Sequence, residues 1–281
     1  MAITSELVKL LRDKTGAGMM DCKKALEETT GDLDKAIEYL RKKGAATAQK
    51  RADKAAKEGT IVTRVNGKND FGIIVEINCE TDFVARGNDF VTFSELAANI
   101  ISSKKPVSLE QLLDVTDDSG KAISQHLNDM MAKIGERIEI RRYKMHQTEN
   151  GFIASYTHMG NKIGVLIELS STPGNALQIG RDIAMQIAAM NPLYISRDQV
   201  SHDVIQRELE IYRTQARNEG KPDQIIERIA NGKLEKYYQD VCLSEQVFIK
   251  DSSKTIKDVL TESSSGLTIK SFERFQLGEE K

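Results

Sequence analysis

The segment Cys79-Glu80-Thr81-Asp82-Phe83-Val84-Ala85-Arg86 carries the side chains of a binding corner. A strongly apolar run over residues 72–78 precedes it, and a helical pattern begins near Asn88. Thr81 or Asp82 can accept from the free N–H groups at a helix start. Phe83 is then left where a strand turns into a helix. Two placements compete for it. It packs inward as a lid on its own core, which residue type alone favours, or it stands outward as a rigid aromatic anchor for a partner.

Covalent chemistry has little to work with elsewhere. Cys22, Cys79 and Cys242 are odd in number, far apart and without a Cys-x-x-Cys pair, so they read as small buried hydrophobes rather than disulfides or zinc ligands. His126, His146, His158 and His202 form no i, i+4 metal pair. Nucleotide-loop and nucleophile-elbow motifs are missing. Thr15-Gly16-Ala17-Gly18 imitates a phosphate loop only superficially, because it leaves a helix and lacks the following Lys-Ser/Thr. Glu76 and Glu168 recur at matching positions on predicted strands, where structural symmetry accounts for them better than an acid–base pair. No catalytic residue, metal site or cofactor is expected.

The positioning elements are legible from periodicity. Residues 1–45 predict three helices. Leu7, Val8, Leu10 and Leu11 line the first, capped by Ser5 and stopped by Gly16; residues 20–26 form the second. Leu33, Ala36, Ile37 and Leu40 space the third, which Gly44 ends. Residues 59–77 then align without gaps to residues 151–169, a shift of 92, with Gly59/Gly151, Ile61/Ile153, Asn69/Asn161, Gly72/Gly164 and Glu76/Glu168 identical. Each copy predicts a hairpin, with turns at Asn66-Gly67 and Gly160-Asn161, followed by an Ala-rich helix over 90–101 or 179–190. A helix over 127–135 and a half-buried strand over 137–143 lie between the copies. Ile205, Leu209, Tyr212 and Ala216 on a helix over 198–220, answered by Ile225, Ile226, Ile229 and Leu234, predict an antiparallel helical hairpin. It is either an assembly surface or satisfied by itself. A short helix near 256–260 and a strand over 267–275 follow, and the polar tail, 278–281, is expected to fray.

The 281 residues hold 40 basic and 42 acidic side chains, for a formal charge of −2. That length suits about two domains. Aromatics are 5% and Trp is absent, so the cores must be aliphatic. No apolar run approaches the ~20 residues that span a bilayer, and the start, Met1-Ala2-Ile3-Thr4-Ser5-Glu6, lacks the stretches of a signal peptide. A cytoplasmic location and no membrane contact are expected. Residues 41–57 carry seven basic groups against Asp53 alone, which could meet phosphates. With no aromatic between Lys42 and Lys57 to stack on a base, a solvated linker is the preferred reading, and no direct nucleic-acid contact is expected.

Three stretches taken together resemble bacterial elongation factor Ts. They are Thr15-Gly16-Ala17-Gly18-Met19-Met20-Asp21-Cys22-Lys23-Lys24-Ala25-Leu26, the Cys79–Arg86 segment with its Thr-Asp-Phe-Val centre, and Lys133-Ile134-Gly135-Glu136 followed by Ile140-Arg141-Arg142. The resemblance covers nearly the whole chain in order. It implies a guanine-nucleotide exchange factor that binds elongation factor Tu, GDP-bound and nucleotide-free, and releases GDP. It implies an α+β fold: an N-terminal three-helix, ubiquitin-associated-like domain over 1–54, then a duplicated core of two antiparallel-sheet subdomains, one over 55–145 and the other over 146–195 and 237–281. The inserted helical hairpin spans 196–236. A homodimer through the hairpin or the core stays open.

By position, Thr81, Asp82, Phe83 and Val84 would disturb the partner's Mg²⁺ site. Phe83 would act as a wedge beside the switch region, with Asp82 supporting it, so the resemblance favours the outward Phe83. Arg12, Met19 and Met20 would dock on a helix of the partner's GTPase domain, and His158 would lie near its third domain. Three departures stand out. Gly87 separates Arg86 from the Asn that usually follows it, Val247 replaces a usual Pro, and, with the last strand so near the end of the sequence, the C-terminal helical module of some members is not expected.

Overall fold

The computed structural model describes residues 3–279. Met1 and Ala2, on which the signal-peptide reading partly rests, and Glu280 and Lys281 of the tail lie outside the described residues. No described helix is long and apolar enough to cross a membrane.

Three helices open the chain: α1 (Ser5–Thr15), α2 (Met19–Glu28) and α3 (Leu33–Arg51). Thr4, not Ser5, caps α1 by accepting from Leu7 N–H, and Gly16 closes it in the left-handed region at φ 69°. Val8, Leu11, Cys22, Ala25, Leu26, Ala36 and Leu40 form the small core, whereas Leu10 is exposed. Gly44 does not end α3. It lies where a Cβ would come within 2.9 Å of the Asn128 carbonyl and 3.4 Å of the Ala132 side chain. Its missing side chain lets α3 cross closely over a later helix instead of stopping there. Nor are residues 41–51 a solvated linker: they continue α3, with Lys42 paired to Glu38, Lys43 to Asp21 and Arg51 to Glu80.

Strands β1 (Glu58–Val65) and β2 (Phe71–Cys79) make the first hairpin, followed by a single turn of helix, α4 (Asp82–Ala85), and by α5 (Asn88–Lys104). Helices α6 (Leu109–Asp114) and α7 (Ile123–Ile134) lead to β3 (Ile138–Gln147), which joins the sheet in the order β1-β2-β3, all antiparallel. The second copy repeats this with β4 (Phe152–Thr157), β5 (Ile163–Leu169) and α8 (Ala176–Met190). The hairpin helices are α9 (His202–Asn218) and α10 (Asp223–Val241); a short ladder, β6 (Val247–Phe248) with β7 (Asp251–Thr255), and α11 (Ile256–Ser263) follow. Strand β8 (Ile269–Gln276) completes the second sheet, β4-β5-β8.

The duplication extends beyond the aligned segment. Both sheets carry a register shift at equivalent points, Glu76/Ile77 against β3 and Glu168/Leu169 against β8. This shift breaks the expected alternation of 137–143 after Ile140. The repeated glutamates sit at those shifts and bond to the third strand: Glu76 to Arg142 at 2.7 Å, and Glu168 to Lys270 at 3.4 Å. In each turn the repeated Asn is left-handed, Asn69 (φ 57°) or Asn161 (φ 55°), joined in the second by Gly160 (φ 84°), whereas Gly67 is not. Each lends its carbonyl to the other copy. Ile61 N–H donates to Asn161 O (2.8 Å), and Ile153 N–H donates to Asn69 O (2.7 Å).

The sheets pack face to face through Ile61, Ile74, Ile153, Leu166 and Phe275. A Cβ on Gly72 would fall 2.8 Å from both Ile153 Cγ2 and Leu166 Cδ1. One on Gly164 would fall 2.5 Å from Ile61 Cγ2 and 3.3 Å from Ile74 Cδ1. Those partners are again related by the shift of 92.

Helices α9 and α10 run antiparallel, and their charges interlock along the seam: Arg213 with Glu227 (2.7 Å) and Lys233 with Glu219 (3.8 Å). Ser201 caps α9, so the predicted helix starts later than residue 198; residues 197–199 form a separate turn. Leu209, Ala230, Leu234 and Tyr238 turn inward while Ile225 is exposed. At the base, Arg197 bonds Glu235 at 2.7 Å and also Glu245. The tail through Glu279 does not fray, since Gly278 N–H donates to the buried Glu76 carboxylate (3.0 Å) and Glu279 pairs with Arg142 (3.7 Å).

Gly72→Ala or Gly164→Ala should each cost about 1–3 kcal/mol, the usual range for overpacking a core. The double variant should cost less than the sum, because one small separation of the sheets relieves both clashes. Urea melts of the three proteins check it, and fully additive losses would show that the two glycines do not share one interface.

Candidate functional site

Residues 79–87 form the corner that the sequence singled out. Cys79 ends β2 fully buried, and its Sγ donates to Thr81 O at 3.1 Å. Burial, reinforced by the nearby Glu136 charge, pushes this thiol up to about 12, so it is packing material rather than a nucleophile. Thr81 caps α4 by accepting from Val84 N–H (3.4 Å). Val84 and Ala85 pack against the first core, and Asp82 bonds Arg86 one turn on at 2.9 Å. With its neighbours anchored, Phe83 has nowhere inward to go and is 85% exposed. The inward placement is overturned. Of the eight phenylalanines, the other seven are buried or packed against a core. Helix α5 starts at Asn88 directly behind Gly87, so the extra glycine leaves the corner intact.

What holds the corner had no assigned role in the sequence. The Glu136 carboxylate accepts from both Thr81 N–H (3.0 Å) and Thr81 Oγ1–H (2.8 Å). Lys133, one turn earlier, pairs with Asp89 at the start of α5 (2.7 Å), and Gly135 ends α7 at φ 81°. The Lys-Ile-Gly-Glu stretch is therefore the brace behind Phe83. Its only signal in the sequence was its recurrence in the resemblance; nothing in its own spacing says what it touches.

The other expected residues fall on two further surfaces. Arg12, Met19 and Met20 are exposed on α1 and α2, with Met20 at 74%. His158 is exposed in the β4–β5 turn, its Nδ1 2.9 Å from Tyr156 Oη, and Met159 beside it is 88% exposed. That turn and the corner come together. Asp82, Ala85 and Arg86 face Gly160, Asn161 and Lys162 across a cleft of about 470 Å³. Arg12, Met19 and Met20 lie on the outer surface of the separate three-helix unit. A cavity of about 830 Å³ between Ile195, Lys257 and Leu267 at the hairpin base contains none of the expected residues. Among the described residues no three His, Cys, Asp or Glu side chains converge to hold a metal.

Comparison with known proteins identifies the family. The family model described as Elongation factor TS matches residues 80–279. The chain is 47% identical to elongation factor Ts of Chloroherpeton thalassium, over 99% of each protein. It is 46% identical to that of Prosthecochloris aestuarii, over 98% of this chain and 99% of the relative. A Clostridium botulinum relative of the same name is 43% identical over 99% of this chain and 93% of its own length.

Glu136→Ala removes both bonds to Thr81. It should lower global stability by about 1–3 kcal/mol, the range for charged hydrogen bonds to a partly buried partner. It should also speed hydrogen exchange of the amides in 81–86 while those of β2 stay protected. Unchanged exchange in 81–86 would show that the core contacts of Val84 and Ala85 hold the corner alone.

Proposed function

The chain belongs to the elongation factor Ts family, and on that premise we propose that it is a guanine-nucleotide exchange factor for elongation factor Tu, acting in the cytoplasm. It binds the GDP-bound partner, weakens the hold on GDP and leaves a nucleotide-free complex that GTP can enter. No covalent step is needed. A bound Mg²⁺ is often the largest local charge in a nucleotide site, so disturbing its coordination loosens the phosphates electrostatically.

The observation that carries this reading is Phe83, exposed on a corner whose every neighbour is fixed. Exposing a large apolar ring is unfavourable in the free protein, and that cost is recovered only when a partner covers it. Phe83 inserts beside the Mg²⁺ site, with Asp82 at the mouth of the intrusion and Thr81 and Val84 holding its base. The exposed Met19 and Met20, with Arg12, dock the three-helix unit; flexible thioethers suit such a surface. His158 makes the third contact, from the turn whose Gly160, Asn161 and Lys162 line the cleft.

We assign docking to residues 1–54, a ubiquitin-associated-like unit. The exchange core spans 55–145 with 146–195 and 237–281, and the inserted hairpin is 196–236. The inward stripe of the hairpin supports a self-satisfied insertion over a homodimer surface. The ion pairs of residues 42, 43 and 51 leave less charge for nucleic acid.

Release of a fluorescent GDP analogue from elongation factor Tu, with and without this protein, tests the activity directly; no acceleration would refute it. Phe83→Ala should slow accelerated release by about tenfold or more, as loss of a hot-spot anchor does. Its urea melt should move far less than the ~3–5 kcal/mol of a buried Phe. Met19→Ala with Met20→Ala should instead raise the concentration for half-maximal release at an unchanged melting temperature. A normal half-maximal concentration would remove the methionines from the docking face.

A further inference from the structure

Glu136 has a neighbour that faces the other way. The Arg137 guanidinium donates to the carbonyls of Ala52 and Lys54 (2.8 Å to the latter), just beyond the end of α3, and pairs with Glu139 at 2.5 Å. Arg137 N–H donates to Glu80 Oε1 (2.7 Å), and the same carboxylate receives Arg51, the last residue of α3, at 3.0 Å. Two consecutive residues between α7 and β3 thus hold two different things. Glu136 grips the corner that carries Phe83, and Arg137 grips the exit of the three-helix unit.

Helix α3 crosses the core at Gly44, against Asn128 and Ala132 of α7, and at Ala48 one turn on, which packs against the first core. A helix held at one crossing can pivot about it. A second fixed point at Arg51, seven residues and about 10 Å further along the axis at 1.5 Å per residue, removes the pivot. The bonds that make it are charge-assisted, the Glu80 side chain is 17% exposed and that of Arg137 is 28% exposed, so water screens them only in part.

We propose that Arg137 is a positioning residue that sets the three-helix unit at a fixed angle to the Phe83 corner, so that both meet the partner at once. This role rests on the exchange activity proposed above. Two surfaces that must engage one partner together gain from being oriented beforehand, because the ordering cost is met in the free protein. Arg137 touches neither surface and takes no part in displacing nucleotide.

The test uses the full chain. Arg137→Met keeps the backbone bond to Glu80 and removes the guanidinium. The concentration for half-maximal GDP release should rise about fivefold or more while the plateau rate stays within about twofold. In that background, Met19→Ala with Met20→Ala should raise the half-maximal concentration by less than half the factor it does in the parent, since the unit has already lost its register. Penalties that simply multiply, or an unchanged half-maximal concentration, would overturn the assignment.

A second readout needs no partner. Spin labels at Glu28→Cys and Lys104→Cys, both exposed, should give one narrow distance distribution in the parent and a broad one with Arg137→Met. An unbroadened distribution would overturn the proposal even if release changed. If the parent fails to release GDP at all, the exchange reading falls and the distance measurement alone decides whether Arg137 orients the unit. Arg51→Met, which breaks the same bracket from the helix side, serves with both readouts should Arg137→Met not fold.

Discussion

The face-to-face contact of the two sheets is the constraint from which the rest of the molecule follows. Each copy of the repeat presents a glycine where the other presents two branched side chains, so Gly72 receives Ile153 and Leu166 while Gly164 receives Ile61 and Ile74. Each copy also lends a turn carbonyl to the other's strand. One set of contacts made twice across a local two-fold relation lets four aliphatic residues build most of a tight interface, with Phe275 beside them. It also explains why both sheets bend at the same place. The register shifts after Glu76 and Glu168 add local twist, and the glutamate at each shift is held by its third strand. Glu76 does more, because its other oxygen receives Gly278 N–H and ties the end of the chain into the seam.

A rigid seam gives the corner something to be rigid against. Strand β2 is buried along its whole length, and the chain leaves it at Cys79 with a single free direction. The backbone then needs partners for the groups that the strand no longer satisfies. Glu136 supplies them for Thr81, Arg137 N–H meets Glu80, and Thr81 meets Val84. Once those bonds are made, the alternation of inward Val84 and outward Phe83 is dictated by the turn. The exposure of Phe83 is thus a consequence of satisfied polar groups behind it.

How much of this could be read beforehand differs by level. Helices with clear spacing, the gapless repeat and the helical hairpin were legible, because burial writes its period directly into residue order. The third strand of each sheet was not recognised as part of the duplication, since Arg141 and Arg142 serve Glu76 and the chain end rather than a repeated pattern. Gly44 was misread for a related reason. Local chemistry says stop, while a tertiary contact with Asn128 says continue. Residue type favours an inward Phe83, because a large aromatic beside a buried strand is most often core. Its outward direction follows from its anchored neighbours, through Glu136 more than fifty residues away and the core contacts of Val84 and Ala85, and no local pattern carries that information.

Such a corner can act without chemistry because exchange is a question of differences in binding. A factor that bound its partner equally well with and without nucleotide would shift nothing, however tightly it held. Whatever Phe83 contributes must therefore be favourable in the nucleotide-free state and opposed in the nucleotide-bound one. Reciprocity then requires the nucleotide to expel the factor by the same ratio. A loosely held corner would yield to the nucleotide and lose that difference, whereas one whose backbone is held through Thr81, Val84 and Glu136 resists retreat. On the proposed reading the docking face is the complementary case. Methionines that contributed similarly in both states would set how often the factor engages and not how fast nucleotide leaves. Rate would then depend on the stiffness of the corner, and occupancy on the three-helix face. The adjacent residues Glu136 and Arg137 are where the two are mechanically joined.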